Sequence, residues 1–433
     1  MTRLARQHGA VNLAQGFTDE PPPFPLVWGA IAALLGGSDA GIRRLEQVMV
    51  AGRSGAGASG APASASLRDA LEPLQEPRDE LNQYSYPFGL PELRQAIAAY
   101  TRRWSGFAPD PETETTVVLG ATEGLAAVLA AVGRRGDGVV VLEPFHEMYP
   151  AQADLFGLVP RFVTLHEDDE GAWRLDPGEL RRAADGARLL VLNTPHNPTG
   201  KVFASGELEA IADLARAQDL VVVADEIYEH IVFDDAQHRS IAAWPGMRER
   251  TIVVNSISKT ANATGWRIGW VLAPPHLTPA IRAVHDTLAV QAPTPLQKAA
   301  VALLGMPPGF FRDLARGYAE KRTVLGGALR AAGFRMAQPR GAYYFLADYR
   351  GVRDLTDLAP LPAAMHLIER VGVAAVPGDN FYGRSADGAR YLRFAFCRGR
   401  ETLDDAGRRL RRLAPGAPRG DGVGATGRGS GTA

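Results

Sequence analysis

The chain has 433 residues, of which 46% are hydrophobic and 22% charged, so it is long enough for about two or three domains of ~150 residues. Its net charge of -1 gives no reason to expect nucleic acid or an acidic membrane surface as a partner. The single cysteine, Cys397, excludes an intrachain disulfide and is typical of a reducing cytoplasm. The opening MTRLARQHGA lacks the apolar core of a signal peptide, and no uncharged apolar run reaches the ~20 residues of a membrane span. We therefore expect a soluble cytoplasmic protein.

A low-complexity segment interrupts the chain at residues 36–80. Its middle is rich in Gly, Ala, Ser and Pro and offers too little apolar surface to offset chain entropy, so we predict a mobile surface insertion. Gly55, Gly57 and Gly60 match the G-x-G-x-x-G fingerprint of dinucleotide-binding proteins. That fingerprint requires a strand before it and a helix after it, whereas the low-complexity APASAS follows here. We interpret the match as accidental.

Strand and helix patterns alternate through the centre of the chain. Pro91 and the apolar spacing after it predict a helix over Leu93–Trp104. Further helices are predicted at Glu123–Ala131 and at Glu207–Ala217, the second with Ser205 as its N-cap. Several predicted strands are continuous Val/Leu/Ile runs, which are typical of a sheet buried on both faces, and this alternation predicts an α/β domain of mostly parallel strands. The predicted strands are Thr115–Leu119, Gly138–Leu142, Arg161–Leu165, Leu189–Asn193, Leu220–Ala224, Thr251–Asn255 and Ile268–Ala273.

Two loops at the carboxyl ends of these strands carry candidate binding residues, since ligands of open parallel sheets lie at that edge. Gly120, Ala121 and Thr122 connect a strand to a helix, where backbone N–H groups and the positive end of the helix suit a phosphate. The alternative is an ordinary tight turn. Asn197 in NTPHNPTG precedes a proline, and its amide can face a ligand or merely form a turn.

A carboxylate and a tyrosine follow the next apolar strand in VVVADEIYEH. Asp225 is predicted to be buried, and a buried carboxylate needs a cationic partner such as a pyridinium nitrogen. Tyr228, three residues later, can direct its phenol toward the same ring. The alternative for Asp225 is the N-cap of a helix.

Lys259 stands among small and hydroxyl residues in NSISKTANATGWRIGW. A lysine in an apolar, semi-buried place has a lowered pKa and becomes a nucleophilic amine suited to a Schiff base. Arg267 and Ser256 of the same stretch could hold a phosphate, and Arg393 in the apolar YLRFAFCR could bind a substrate carboxylate. The alternatives are a surface lysine and structural ion pairs. Together these groups match the needs of pyridoxal 5'-phosphate, whose protein partners are a lysine and an acid on the ring nitrogen. We predict no metal site.

The motifs VNLAQGF, NQYSYPFGLPELR, GATEG, TPHNPTGKV, ADEIYEHIVF, SISKTANATGWRIGW and RFAFCR occur in this order, and the chain resembles a class I pyridoxal-phosphate aminotransferase of fold type I. It is most similar to the kynurenine/glutamine/methionine aminotransferase branch. The resemblance implies a three-layer α/β/α large domain with a mostly parallel sheet and a smaller α+β domain. We expect the N-terminal segment of the small domain at 1–35, the insertion at 36–80, the large cofactor-binding domain at 81–290, the C-terminal small domain at 291–413 and a disordered tail at 414–433.

The resemblance also implies roles for single residues. Lys259 falls on the Schiff-base lysine and Asp225 on the partner of the ring nitrogen. The other implied positions are Asn197 and Tyr228 at the ring oxygen, Ala121, Thr122, Ser256 and Arg267 at the phosphate, Gly16 and Arg393 at the substrate carboxylate, and Tyr84 at the phosphate of the neighbouring subunit. A homodimer with shared active sites is therefore implied.

Two features depart from the family pattern. In EPFHEMY the residue expected to stack on the cofactor ring is His146, where an aromatic Tyr, Trp or Phe is usual, and the register could instead place Phe145 there. The insertion at 36–80 ends just before Tyr84 and either loops out or displaces it.

The hypothesis is a ping-pong aminotransferase that takes the amino group from a neutral or aromatic L-amino acid and gives it to a 2-oxo acid. Tyr343, Tyr344, Phe17, Phe88 and Trp28 either line an aromatic side-chain pocket or belong to the core. The alternatives within the fold are an N-succinyl-diaminopimelate aminotransferase and a C–S lyase or cyclase. A non-catalytic binding protein and a nicotinamide dehydrogenase are more distant alternatives.

Overall fold

The computed structural model describes residues 1–34, 83–168 and 171–414. The predicted insertion at 36–80, with its accidental glycine match at Gly55, Gly57 and Gly60, and the tail beyond residue 414 lie outside the described residues. The strands are β1 (Val11–Asn12), β2 (Thr115–Val118), β3 (Gly138–Glu143), β4 (Val159–Glu167), β5 (Trp173–Leu175), β6 (Ala187–Asn193), β7 (Val221–Asp225), β8 (Thr251–Ser256), β9 (Gly269–Leu272), β10 (Tyr344–Asp348), β11 (Val373–Ala374), β12 (Val376–Pro377) and β13 (Tyr391–Ala395). The α-helices are α1 (Thr2–Gln7), α2 (Phe24–Leu34), α3 (Pro91–Trp104), α4 (Gly120–Val132), α5 (Met148–Leu155), α6 (Pro177–Ala184), α7 (Ser205–Ala217), α8 (Ile257–Thr260), α9 (Thr278–Ala289), α10 (Thr294–Leu304), α11 (Pro308–Ala331), α12 (Pro360–His366) and α13 (Arg400–Leu410).

An eight-stranded sheet with the order β2-β9-β8-β7-β6-β3-β4-β5 forms the centre of the molecule. The strands from β8 to β4 are parallel neighbours, whereas β9 pairs antiparallel with both β2 and β8, and β5 pairs antiparallel with β4. The predicted α/β fold with a mostly parallel sheet is confirmed. The short strand β5 was not predicted, because three residues carry too little of the strand pattern.

Both faces of this sheet are buried. Along β3, Val139 and Val141 enter one hydrophobic cluster, while Val140 and Leu142 enter the other. Successive side chains of a strand point to opposite faces, so a strand covered on both sides needs an unbroken apolar run. This burial is the physical reason for the continuous Val/Leu/Ile runs of the sequence.

A smaller antiparallel sheet, in the order β10-β13-β12, holds Arg393 opposite Leu346 and Val376. The N-terminal strand β1 pairs in parallel with β11, with Val11 opposite Val373. The beginning of the described chain therefore packs with its last strands. The predicted boundary between the two domains, at residue 290, stays a prediction.

The observed first residue of α7 corrects one prediction. Ser205 is the first residue of α7, and the N-cap is Ala204, whose backbone N–H donates to the carboxylate of Glu207 at 2.9 Å. The predicted Ser205 cap is therefore wrong, because an acidic side chain inside the first turn satisfies the free backbone donor instead. The helix predicted from Glu123 begins earlier, at Gly120, directly after β2.

Buried polar side chains form a cluster next to the central sheet. Atoms of Glu226, Glu229 and His238 that could bind an ion all lie within 4.8 Å of one another. Glu229 accepts hydrogen bonds from the Tyr100 hydroxyl at 2.6 Å and the Asn255 amide at 2.7 Å. Burial raises the pKa of Glu229 to about 7. Burial alone would lower the pKa of His238, but the adjacent Glu226 carboxylate raises it.

Replacing Glu229 by Gln tests whether the buried Glu229 carboxyl group keeps its proton in the folded protein. The pKa of Glu229 rises from its ordinary 4.5 to about 7 in the folded protein, so the native state keeps a proton that the unfolded chain releases. The wild-type free energy of unfolding should therefore fall by up to about 3 kcal/mol as pH rises through this interval, and Glu229→Gln should lose most of that fall. Urea unfolding between about pH 4 and about pH 8 measures it, with Glu209→Gln on the exposed face of α7 as control. Equal pH slopes for wild type and Glu229→Gln would contradict the assignment.

The approach of β9 to the start of α4 gives a second test. A Cβ atom on Gly269 would lie 2.8 Å from the carbonyl carbon of Gly120 and 2.9 Å from the backbone nitrogen of Ala121. Because these are backbone atoms, Gly269→Ala should destabilise the fold by about 1–3 kcal/mol. A Cβ on Gly206, near the start of α7, would meet nothing within 4 Å, so Gly206→Ala should be neutral or slightly stabilising. Thermal unfolding compares the two variants, and a Gly269→Ala protein as stable as Gly206→Ala would refute the packing argument.

Candidate active site

A cavity of about 500 Å³ opens at the carboxyl edge of the parallel strands. Asp225 and Ser256 are the last residues of β7 and β8, and Ala121 and Thr122 lie in the first turn of α4. Parallel strands end at one edge of the sheet, so the topology brings these separate motifs together. The predicted site residues that line the cavity are Gly16, Ala121, Thr122, His146, Asn197, Asp225, Tyr228, Ser256, Lys259, Arg267 and Arg393.

Lys259 projects into this cavity from the short helix α8. Its Nζ donates to the carbonyl oxygen of Gly16 at 3.0 Å and lies 5.9 Å and 5.6 Å from the ring centres of Tyr228 and Tyr343. Burial, together with the positive charges of nearby arginines, lowers the pKa of Lys259 to about 8. The alternative of a surface lysine is therefore wrong, and about a tenth of the amine is uncharged at pH ~7.

Asp225 is 1% exposed, and its carboxylate accepts hydrogen bonds from neutral donors. The Tyr149 hydroxyl donates to Oδ2 at 2.7 Å, and the Ile227 backbone N–H donates to Oδ1 at 3.3 Å. Burial raises the pKa of Asp225. Asp225 ends β7 rather than starting a helix, so the N-cap alternative is wrong. A cationic group in the cavity would therefore be stabilised by this carboxylate.

Three tyrosines surround the carbonyl group that holds Lys259. The Tyr343 hydroxyl donates to the Gly16 carbonyl at 2.8 Å, and the hydroxyl groups of Tyr228 and Tyr344 lie 3.2 Å apart. A Cβ on residue 16 would overlap the Tyr344 hydroxyl, so only glycine fits this position. Burial raises the pKa of Tyr228 well above its ordinary value, so its hydroxyl is a proton donor at neutral pH.

An anion-binding corner lies between α4 and the loop after α8. Arg267 has a left-handed backbone (φ 57°) and donates to the carbonyl groups of Thr264 at 2.9 Å and Leu119 at 3.3 Å. Gly120 (φ 77°) does not line the cavity, but a side chain there would overlap the Arg267 guanidinium. The Ser256 hydroxyl accepts the backbone N–H of Ser258 at 3.3 Å and so caps α8. The first turn of α4, two hydroxyl groups and an arginine together suit a phosphate.

Arg393 reaches the opposite side of the cavity from β13. Its guanidinium donates to the side-chain oxygen of Asn197 and to the carbonyl of Ala14, both at 3.2 Å. It also lies 3.9 Å from the Glu147 carboxylate. Its Nε is buried and has no hydrogen-bond partner among the described residues. Nη1 and Nη2 each carry a second N–H group that can bind a ligand carboxylate, while the bonds to Asn197 and Ala14 hold the guanidinium in place.

The register of EPFHEMY is decided by packing. Phe145 is 4% exposed and belongs to a buried hydrophobic cluster, with its ring centre 5.3 Å from that of the exposed Phe162. His146 lines the cavity, with Nδ1 2.9 Å from the Glu147 carboxylate and its ring edge toward Tyr149. The sequence analysis missed Tyr149 and Glu147, although both lie within the motif that contains His146.

The predicted aromatic pocket is only partly present. Phe17 and Tyr344 line the cavity, and Tyr343 contacts its lysine, but Phe88 and Trp28 do not line it. Phe88 packs under two arginine guanidinium groups, 4.1 Å and 5.1 Å from its ring centre, and Trp28 stacks against another ring of α2. Both side chains are half-buried and belong to neither hydrophobic cluster, so they lie in neither the predicted pocket nor the core.

Tyr84 stands apart from the cavity within this chain. It is 83% exposed and does not line the site. The position of the preceding insertion relative to Tyr84 lies outside the described residues. Among the described helices, none has both the length and the apolar composition needed to cross a membrane.

Comparison with known proteins agrees with this geometry. Residues 58–410 match the family described as aminotransferase class I and II. The chain is 36% identical to the probable N-succinyldiaminopimelate aminotransferase DapC of Mycobacterium tuberculosis, over 96% of this chain and 95% of that protein. It is 30% identical to kynurenine–oxoglutarate transaminase 1 of Mus musculus, over 94% and 93% of the two chains, and 32% identical to the methionine aminotransferase of Escherichia coli, over 95% and 94%.

The solved structure of the M. tuberculosis N-succinyldiaminopimelate aminotransferase superposes on this chain with a TM-score of 0.82, covering 96% of both chains. Members of this family depend on pyridoxal 5'-phosphate and act on amino acids and 2-oxo acids. The fold, the converging site residues and these matches lead to one conclusion: the chain belongs to the class I and II aminotransferase family and is an aminotransferase.

Proposed function

We propose that this chain binds pyridoxal 5'-phosphate in the described cavity and transfers the amino group of a neutral or aromatic L-amino acid to a 2-oxo acid. The observation that carries the proposal is Lys259, an amine inside the cavity with a pKa lowered to about 8 and a neutral carbonyl as its hydrogen-bond acceptor. Such an amine is a nucleophile near neutral pH and a suitable proton carrier.

The cavity fits the cofactor on features of this chain alone. Asp225 is a buried carboxylate with neutral donors, and a protonated ring nitrogen would supply the missing cation. The turn around Ala121 and Thr122, with Ser256 and Arg267, provides donors for the phosphate. When bound, pyridoxal 5'-phosphate supplies an aldehyde for the amine and a ring that withdraws electrons from the substrate α-carbon.

The side chains then have distinct tasks. Arg393 binds and orients the α-carboxylate of the substrate, which places the α-hydrogen near Lys259. Lys259 Nζ takes that proton and returns it, and its lowered pKa suits both directions. Asn197 accepts from Arg393 through its oxygen and keeps its amide N–H groups for the ring oxygen, beside the Tyr228 hydroxyl. Asp225, held by Tyr149, keeps the ring nitrogen protonated.

Two further assignments rest on position. We place His146 against the cofactor ring, since it lines the cavity while Phe145 packs in the core. We infer a homodimer in which Tyr84 serves the site of the partner subunit, because this exposed tyrosine contributes nothing to the cavity of its own chain. A cytoplasmic location agrees with Cys397 as a free, buried thiol.

The substrate class is inferred from charge. Among the described residues that line the cavity, the lysine and arginine side chains are those of Lys259, Arg267 and Arg393. With the amine, the phosphate and the α-carboxylate assigned to these three, the described lining residues offer no further lysine or arginine side chain for a second substrate carboxylate. Tyr344 and Phe17 offer apolar surface instead. The alternative is a succinylated diaminopimelate substrate, which the similarity to the M. tuberculosis protein favours.

Lys259→Ala should lower kcat for amino transfer by about 10³-fold or more, because the nucleophile and the proton carrier are the same amine. Lys298→Ala, at a lysine whose side chain is 41% exposed on α10, serves as the matched control and should keep wild-type activity. Steady-state assays with a panel of amino acids and 2-oxo acids measure both variants. A Lys259→Ala enzyme with wild-type turnover would refute the mechanism.

The absorption spectrum of the wild type tests the cofactor and the substrate together. We expect a visible band of bound pyridoxal 5'-phosphate that changes when neutral or aromatic amino acids are added. A panel that includes N-succinyl-diaminopimelate decides between the two substrate classes. A protein that cannot be loaded with pyridoxal 5'-phosphate would overturn the proposal, and conversion by the succinylated compound alone would overturn the substrate class.

A further inference from the structure

A second carboxylate lines the cavity besides Asp225. Glu147 directly precedes α5, and 41% of its side chain is exposed. Its Oε2 lies 3.9 Å from a guanidinium nitrogen of Arg393 and 2.9 Å from Nδ1 of His146. Among the described residues of the cavity wall, Asp225 and Glu147 are the carboxylates, and only Glu147 lies next to the proposed substrate-carboxylate site.

We propose that Glu147 sets the charge selectivity of the enzyme, disfavouring substrates with a second carboxylate and favouring those with a neutral or cationic side chain. This inference rests on the proposed function, since it takes Arg393 as the site of the α-carboxylate. The same charge acts on the 2-oxo acid, so it also disfavours a second carboxylate on the acceptor.

The position of Glu147 beside Arg393 exposes a bound substrate to the negative charge of Glu147. A substrate carboxylate bound to Arg393 comes within a few ångströms of Glu147, in a cavity partly shielded from water, where repulsion between like charges is stronger than in bulk solvent. The α-carboxylate has the arginine to offset this repulsion. A second carboxylate on the side chain finds no further lysine or arginine side chain among the described lining residues, so it bears more of the repulsion.

The charge of Glu147 persists at neutral pH. Burial works against ionisation, but the hydrogen bond with His146 and the positive charge of Arg393 outweigh it and hold the pKa of Glu147 below its ordinary value. The carboxylate therefore acts as a permanent anion under assay conditions. His146 and Arg393 both contact it, so its position is fixed rather than free to swing away.

Glu147 also helps to hold Arg393, so its loss would change the binding of every substrate. A ratio between two substrates removes this common effect and leaves the selectivity. Glu147→Gln keeps the size and removes the charge, whereas Glu147→Asp keeps the charge on a shorter side chain. The exposed Glu209→Gln on α7 is the surface control.

The experiment measures kcat/KM for L-glutamate and for L-phenylalanine in wild type and the three variants, after loading with pyridoxal 5'-phosphate. Glu147→Gln should raise the glutamate-to-phenylalanine ratio about tenfold. Glu147→Asp and Glu209→Gln should stay near the wild-type ratio. An unchanged ratio in Glu147→Gln, or the same rise in Glu147→Asp, would overturn the inference.

A binding measurement separates this inference from the proposed function. Calorimetry with succinate and with 3-phenylpropionate needs no turnover, and Glu147→Gln should improve succinate binding about tenfold relative to 3-phenylpropionate. If the wild type transaminates but neither ratio moves, only the role of Glu147 fails. If Lys259→Ala keeps full activity while the succinate ratio rises, the mechanism fails and the selectivity of the cavity stands.

Discussion

The hydrogen bond from Lys259 to the carbonyl of Gly16 is the contact on which the site depends. It pairs the amine with a neutral acceptor, and burial lowers the pKa of Lys259 to about 8 although the negative charge of Asp225 acts in the opposite direction. The carbonyl belongs to the segment after β1, which also accepts from Tyr343. The reactivity of Lys259 therefore depends on how the N-terminal segment packs against the C-terminal strands.

The distribution of charge follows from the same arrangement. Cations occupy both ends of the cavity, Arg267 beside α4 and Arg393 on β13, while Lys259 is partly uncharged. Asp225 lies at the floor and Glu147 at the wall. Under the proposed function, Arg267, Arg393 and Asp225 each pair with one charged group of the cofactor or the substrate, so a ligand with a charge too many or too few would leave a group without a partner.

Much of the fold could be predicted from the sequence, because central strands such as β3 and β7 are fully buried and consist mostly of consecutive apolar residues. The site residues could be grouped as well, since Asp225 and Lys259 stand where parallel strands end or just beyond, at one edge. Contacts that depend on side-chain direction could not be predicted. Neither the choice between Phe145 and His146 nor the role of Tyr149 follows from spacing, because the start of α5 decides which side chains turn toward the cavity.

The capping of α7 shows a similar limit. Ser205 is a favourable cap by type, but the backbone enters the helix one residue earlier and Glu207 satisfies the free donor. The aromatic residues Phe88 and Trp28 could equally have been pocket or core, and tertiary packing places both away from the cavity. Composition alone carries no information about such choices.

The pairing of β1 with β11 also determines when the site can exist during synthesis. Arg393 donates to the carbonyl of Ala14 across 379 residues of chain. During synthesis on the ribosome, the strands of the central sheet emerge and can pair before the C-terminal partners of the N-terminal segment have been made. The Gly16 carbonyl and Arg393 reach the cavity only after nearly the whole polypeptide has left the exit tunnel. A nascent or truncated chain can therefore form the large sheet without a complete active site.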